Sequence, residues 1–535
     1  MSMQGTPIFI LREGTERQRG KDALGNNISA ARAIAESIRT ALGPRGLDKM
    51  LTDNFGDVTI TNDGATILKE MDVSHPVAKF IVELAKSQDE EVGDGTTSVV
   101  VLAGELLKMA EELIADNIHP SVIVEGYRLA AEEAKKHLDT ISRTIDPEDK
   151  ETLVKIATTA MGSKVVSTSG PHMAKIIVDA ILKVRDENGV DLDDVKVEKK
   201  AGGSLGETEL IEGLVLDKEF VHQGMPQDIE DAKIALLDEA LEISKTEFDA
   251  ELTISSPDQI KGFLDRETDM IKEMVDYVAN SGATVLLCSK GIDDIAQHLL
   301  SKRGIAAVRR IKKSDMEKLA KATGAKIVSR LNDLSAEDLG TAGHIYQKTI
   351  SDDKMIFVED CPNAKSVTIL IRGGTELVVD EADRALHDAL CVVRNVVRDG
   401  KIVAGGGSPE MSISKRLYEY SGELTGREQL AVKAFAEALE VIPRTLAENT
   451  GLDPIDIMAE LRKSGEGWGI DPINRKVINF KEADVVEPTS VKRQAISSAA
   501  EAAQMILRID DVISAKDLGG GGGPGGPPGG DEDFD

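Results

Sequence analysis

EVGDGTTSVVVLAGELLKMAEEL (residues 91–113) carries the strongest local signal in the chain of 535 residues. Gly93-Asp94-Gly95-Thr96-Thr97-Ser98 stands directly before an apolar helix. Glycines let a backbone approach a ligand closely, and the threonines and serine donate hydroxyl hydrogen bonds. The orphan N–H groups of a helix N-terminus form an anion site. Asp94, beside phosphates, suits Mg2+, a hard cation that prefers oxygen. The plainer alternative is a helix cap in which Thr96 or Thr97 satisfies the first turn. The chain has no GxxxxGK[ST], which excludes a Walker-type P-loop. Gly93-x-Gly95-x-x-Ser98 misses the dinucleotide fingerprint at its last position. It also follows a helical, charged stretch (IVELAKSQDEEV, 81–92) instead of a strand, against a Rossmann site.

Outward from this turn, apolar spacing predicts helices over 26–42, 64–86 (broken near Ser74-His75-Pro76), 96–117 and 120–144, with a strand at 57–61. Residues 148–185 also read as helical. From Val195 short β-type runs appear: VKVEKK, ELIEGLVLDK, KIALLD, ATVLLCSK, IAAVRRI, AKIVSR, MIFVED and SVTILIRG. Helical segments between them give the centre an α/β pattern. Residues 376–399 form one long helix, and 409–421, 426–449, 452–464 and 488–509 return to helix. A helical unit built from both chain ends, with α/β material inserted between, is the simplest organisation. The run GGGGGPGGPPGG (519–530) cannot form a core and reads as a disordered tail.

Composition narrows the function classes. The 64 basic and 94 acidic residues leave a net charge of −30, which repels phosphate backbones and speaks against a nucleic-acid partner. No apolar run is long enough to span a membrane, and the first 20 residues do not form a secretory signal. Cys288, Cys361 and Cys391 lie far apart, which excludes a disulfide scaffold or a cysteine-rich zinc site. The expected compartment is the cytoplasm.

Further segments carry candidate chemistry. Asn62-Asp63-Gly64-Ala65-Thr66 lies between a strand and a helix, and by itself reads as a turn with a cap. Ala41-Leu42-Gly43-Pro44-Arg45-Gly46 punctuates a helix end. Ala404-Gly405-Gly406-Gly407-Ser408-Pro409-Glu410 ends a strand and opens a helix; its glycines serve a tight turn or admit a ligand's phosphates or sugar. Asp388 is a candidate base, with an exposed i,i+4 pair to Arg384 as the alternative. Lys164 could meet a terminal phosphate, or stay solvated.

Together these elements resemble the group II chaperonins, closely the archaeal type. The matching segments are ALGPRGLDKM (41–50), VTITNDGATIL (58–68), EVGDGTTSVVVLAGELL (91–107), AGGGSPE (404–410) and REQLAVKAFAEALEVIPRTLAENTGLDPIDI (427–457), with KTEFDAELTI (245–254) and KSDMEKLAKATGA (313–325). The resemblance implies a multidomain α and α/β fold. A mainly helical equatorial domain (1–147 and 404–535) would bind ATP and make most ring contacts. A small intermediate domain (148–216 and 369–403) would be the hinge. An α/β apical domain (217–368) would hold clients and extend a helical lid protrusion at about 243–276.

The resemblance also implies roles for individual residues. Leu42, Gly43 and Pro44 line the nucleotide; Asp94 binds Mg2+; Gly95, Thr96, Thr97 and Ser98 bind phosphates; Lys164 approaches the γ-phosphate end. Asp63 and Asp388 position and activate the attacking water. Gly406 and Gly407 lie beside sugar and phosphates, Gly469, Ile470 and Asp471 beside the base, and Glu487 at the ribose. Apolar lid residues Ile254, Ile260, Phe263, Leu264, Met270, Ile271 and Met274 are candidates for client contact or for internal packing. Two departures from the family pattern are Asn479, where relatives often carry an acid, and the Gly/Pro-rich tail. The implied function is an ATP-driven folding chaperone, partnered by non-native proteins and by itself or sister subunits in a double ring. A small-molecule phosphotransferase using the same phosphate site is the alternative, and a non-hydrolysing scaffold is a weaker one.

Overall fold

The computed structural model describes residues 15–53, 55–162, 169–187, 189–243, 257–362, 366–480 and 485–515. Lys164, Ile254 and the tail 519–535 lie outside the described residues, as do the side chains of Ile260, Phe263 and Leu264.

Both chain ends build one helical unit. It contains α1 (Gly20–Arg39), α2 (Gly64–Glu70), α3 (Pro76–Val92), α4 (Thr96–Ala115) and α5 (Pro120–Ile141), then α12 (Ser408–Glu423), α13 (Glu428–Leu439), α14 (Val441–Thr450), α15 (Pro454–Lys463) and α16 (Thr489–Leu507). α4 is apolar on nearly every face and is correspondingly buried, packed by α1, α3, α13 and α16. Tyr127 on α5 meets Phe435 on α13 edge-on, with centroids 5.5 Å apart, and its hydroxyl donates to Leu106 O (2.7 Å). The single helix expected over 426–449 is two. Pro443 lacks the N–H that would bond Leu439 O, and Glu440 ends one helix and starts the next.

Small sheets edge this unit. β1 (Thr15–Arg19) pairs antiparallel with β19 (Asp511–Ala515), β2 (Lys49–Thr52) with β3 (Val58–Thr61), and β16 (Trp468–Asp471) with β17 (Lys476–Asn479). β15 (Lys401–Ala404) lies between β18 (Val486–Pro488) and β4 (Arg143–Thr144).

A second core gathers around β14 (Val367–Gly373), which runs parallel to β5 (Val195–Ala201) and antiparallel to β6 (Glu209–Ile211). Helices α6 (Lys150–Ala160), α7 (Gly170–Val184) and α11 (Glu376–Asp399) cover it. The third core surrounds a seven-stranded sheet. β10 (Ala306–Val308), β9 (Val285–Cys288) and β8 (Asp228–Leu237) are parallel, and β12 (Gly340–Ile350), β13 (Asp353–Glu359) and β7 (Gly213–Leu216) continue antiparallel, with β11 (Ile327–Val328) beside β8. Helices α8 (Pro257–Ser281), α9 (Asp294–Lys302) and α10 (Lys313–Thr323) make the crossovers that parallel strands require. β12 (GTAGHIYQKTI) has no apolar run to announce it; it is held by ladders on both sides.

Among the described residues no helix is long and apolar enough to cross a membrane. Of the apolar residues in the expected lid segment, Ile271 is buried, Met274 packs on the third core and Met270 is about half exposed.

Candidate functional site

Two left-handed glycines, Gly93 (φ 70°) and Gly95 (φ 78°), bracket Asp94 ahead of α4. A side chain at either position would be strained, so the turn requires glycine. Gly95 is itself the N-cap, no side chain caps α4, and the first helical bond runs from Val99 N–H to Gly95 O (2.9 Å). Thr96 and Thr97 are therefore the first helical residues and not its cap. The N–H groups of Thr96, Thr97 and Ser98 precede that first bond, leaving the positive end of a 20-residue helix open to an anion. Asp94 Oδ1 accepts from Gly95 N–H (2.6 Å), and buried Gln88 on α3 donates Nε2–H to Asp94 O (2.9 Å).

Asp63 lies against this turn. Its Oδ2 accepts from Thr66 N–H (2.9 Å), so the capping expected of the Asn62–Thr66 segment is present. A methyl added at Gly64 would lie 2.5 Å from Thr97 Oγ1, so the two turns touch.

From the other side comes α11. Asn395 Nδ2–H donates to Val92 O (2.9 Å), and a methyl at Gly93 would lie 2.1 Å from Cys391 Cβ. Asp388 precedes Cys391 by three residues, on the same helix face, and is only 8% exposed. That burial does not fit an exposed pair; Arg384, four residues earlier, donates Nε–H to Glu381 (2.9 Å). Burial pushes the Cys391 thiol up to about 12, aided by the negative charges of Asp388, Asp89 and Asp94. The positive charge of Arg394 opposes them.

The remaining candidates gather about α14. α1 ends at Arg39, so Leu42-Gly43-Pro44 is a separate turn beyond the helix end; Asn449 Nδ2–H on α14 donates to Leu42 O (2.8 Å). At the other end of α14, Pro443 packs against Gly407. Ile470 N–H donates to Gly406 O (2.9 Å), and a methyl at Gly406 would sit 2.2 Å from the Phe480 ring. The close approach that glycine permits there is, first, an approach of the chain to itself. Gly469 lies on the same loop carbonyls. Asp471 uses its carboxylate on its own hairpin, accepting from the Ile473 and Asn474 amides (2.9 and 3.1 Å). Burial works against ionisation, but the Asn474 side chain, which donates Nδ2–H to Oδ2 (2.6 Å), together with those two amides draws its pKa below the usual range. Glu487, on β18, pairs with Lys492 on α16 (2.5 Å), which also holds Glu410 on α12 (3.0 Å).

Val491 on α16, beside Lys492, lies 3.0 Å from where a methyl at Gly95 would stand, and so links the two groups into one belt; Lys164 lies outside the described residues. Sequence reasoning missed Gln88, Cys391, Glu410, Asn449 and Lys492. Gln88 was detectable as a polar residue in the Ile81, Leu84, Ala85, Val92 stripe of α3, and Lys492 as a charge in the Val491, Ala495, Ile496 stripe of α16. No group of three or more His, Cys, Asp or Glu residues is arranged to hold a metal among the described residues.

Comparison with known proteins gives the same direction. The profile of the TCP-1/cpn60 chaperonin family matches residues 34–517. The chain is 56% identical to a thermosome subunit of Pyrococcus abyssi, covering 99% of this chain and 98% of that one. It is 56% identical to the thermosome subunit beta of Archaeoglobus fulgidus (97% and 98% covered) and 55% identical to the alpha subunit of the same organism (97% and 96%). The chain belongs to the TCP-1/cpn60 chaperonin family, as an ATP-hydrolysing chaperonin of the group II, archaeal type.

Proposed function

We propose that the belt around the α4 N-terminus holds Mg-ATP, and that its hydrolysis drives a built-in lid over a double-ring chamber enclosing non-native proteins. The observation that carries this is the seating of α11, with its buried Asp388, on the turn that opens α4. The amides of Thr96 to Ser98 with Gly95 hold phosphate, Leu42 to Pro44 and Gly406-Gly407 flank the nucleotide, Gly469 to Asp471 sit at the base and Glu487 at the ribose. Lys164 completes the γ-phosphate end. Asp63 and Asp388 orient the attacking water, since phosphoryl transfer chiefly needs positioning and electrostatic stabilisation. Mg2+ fits the donor set: it takes one or two carboxylates, here Asp94, beside substrate phosphates and its own waters, and supplies charge neutralisation on the phosphate oxygens.

The domain division 1–147 with 404–535, 148–216 with 369–403, and 217–368 is supported by the three main cores, except that β7 (Gly213–Leu216) pairs into the sheet of the 217–368 unit and a small cluster of Ile211, Leu370, Ile350, Met355 and Phe357 packs across that boundary. The middle unit's strand β14 begins at Val367, slightly ahead of that boundary. Asp388 then belongs to the hinge unit and the phosphate turn to the helical one, so closure of the hinge completes the hydrolytic set and couples turnover to movement. Half-exposed Met270 and Tyr277 on α8 and Ile295 on α9 supply apolar contacts for clients. The cytoplasm is the compartment that fits such a machine.

Assembly into rings is supported by the β2–β3 hairpin. It carries exposed Met50, Val58 and Ile60 and, at its tip, Phe55 at 93% exposure. Beyond their mutual pairing its strands have no ladder partner among the described residues, and neither do those of β1–β19. Open edges and an apolar tip suit pairing with another copy. Light scattering with and without Mg-ATP, beside an ATPase assay, tests the proposal: a particle many times the subunit mass is expected, and a monomer or dimer removes the chamber. Phe55→Asp is expected to shift the mass toward single subunits without unfolding them; an unchanged particle means that the hairpin is not a ring contact.

A further inference from the structure

We propose that Lys492 is the positioning residue for the sugar side of the nucleotide pocket: its ammonium group, clamped between Glu410 and Glu487, aims the Glu487 carboxylate at the ribose hydroxyls and fixes the Gly405–Gly407 loop. This rests on the assignment of Glu487 to the ribose made above.

Three elements meet at this ammonium. Lys492 comes from the first turns of α16, Glu410 from the first turn of α12, directly after the glycine loop, and Glu487 from β18, which pairs with β15 ahead of that loop. The Lys492 side chain is 11% exposed and contacts Glu410 Oε1 at 3.0 Å and Glu487 Oε2 at 2.5 Å. Glu487 is 26% exposed, and its Oε1 lies 3.1 Å from where a methyl at Gly405 would stand. One oxygen of Glu487 is thus fixed by the lysine while the other borders the loop.

The clamp has an unbalanced charge: two carboxylates share one cation. Glu410 Oε2 is buried and has no hydrogen-bond partner among the described residues. Burial alone would drive a lysine toward its neutral form, but the two carboxylates outweigh it and hold the ammonium charged. Burial pushes the Glu487 carboxyl upward and Glu410 and Asp94 add to that, while Lys492 opposes them. The lysine therefore favours the ionised carboxylate, the form that accepts hydrogen bonds from both ribose hydroxyls.

The same turn of α16 reaches the phosphate side. The Val491 side chain lies 3.0 Å from where a methyl at Gly95 would stand. Lys492 and Val491, adjacent in sequence, brace the two sides of the pocket from one helix end.

The test compares ATP with 2′-deoxyATP and 3′-deoxyATP in steady-state hydrolysis by the assembled protein. Lys492→Met is expected to raise the KM for ATP about tenfold and abolish the preference for ATP over the deoxy analogues, with kcat held within about twofold. Lys492→Arg restores the preference. Because Lys492→Met alone leaves two buried carboxylates facing each other, the pair Glu410→Gln/Lys492→Met keeps the net charge of the clamp and protects folding. It too is expected to lose the preference. Glu487→Gln separates the two ideas. If Glu487→Gln loses the preference while the Glu410→Gln/Lys492→Met pair keeps it, the positioning role of Lys492 is overturned and the ribose assignment stands. If Glu487→Gln itself keeps the preference, the ribose assignment fails and the role of Lys492 fails with it.

Discussion

Asp388→Ala is expected to slow ATP turnover by about 10²- to 10⁴-fold, the range for losing a positioned acid–base group, while nucleotide affinity changes little. The separation follows from where the residue sits. The phosphate-facing amides belong to Thr96 to Ser98, and the other lining segments come from the 42–44 turn, the 405–407 loop and the β16–β17 hairpin, all outside α11. Asp388 arrives from α11, which rests on the phosphate turn through Cys391 and Asn395. Asp63→Ala is the useful contrast. It removes a second carboxylate but also the cap on Thr66, about 1 kcal/mol of local stability, so its effects on binding and turnover are mixed. Single-turnover hydrolysis beside a nucleotide-binding titration checks both. Hydrolysis at the original rate in Asp388→Ala would overturn the proposed mechanism.

Much of this arrangement was legible in the sequence because helices announce themselves by period. The α1 stripe Ile28, Ala31, Ile34, Ala35, Ile38 is buried as its spacing predicts, and α11 spans 376–399 as read. What failed did so for local reasons. Pro443 splits a pattern whose apolar period continues across it. Strand β12 draws much of its stability from its ladder with β8, a partner distant in the chain, information that is not local in sequence, while the short β16–β17 hairpin is a local pairing that the sequence reading did not single out. The site divides in the same way. Its glycine- and hydroxyl-rich turns were visible, since unusual composition marks them. Gln88, Cys391, Glu410 and Lys492 were not singled out, because each is an ordinary residue on a helix whose importance arises from what the fold brings against it. Asp388 was visible only as a candidate. Its burial, which separates it from a surface ion pair, needed the packed helix.

Gly93→Ala is expected to be the most damaging single-methyl change in the pocket, cutting turnover by about 10²-fold, the scale associated with misplacing a reacting group by roughly 1 Å. Two costs coincide. Gly93 sits at φ 70°, where a Cβ costs about 1–2 kcal/mol. The new methyl would also stand 2.1 Å from Cys391 Cβ and 2.5 Å from its Sγ. A Cβ is fixed to its backbone, so rotating a side chain cannot relieve the overlap; either the turn or α11 must move. Movement of the turn shifts Asp94 and the start of α4, and movement of α11 withdraws Asp388. Both lower turnover, but only the first weakens nucleotide binding, so affinity and rate measured together tell which element yields. Cys391→Gly in the same chain removes the obstructing atoms and is expected to recover part of the lost rate. Recovery is incomplete, because the left-handed strain remains and a glycine inside α11 costs about 1 kcal/mol. Full activity in Gly93→Ala would mean that α11 need not rest on this turn during hydrolysis, and the coupling of hinge movement to turnover would have to run through other contacts.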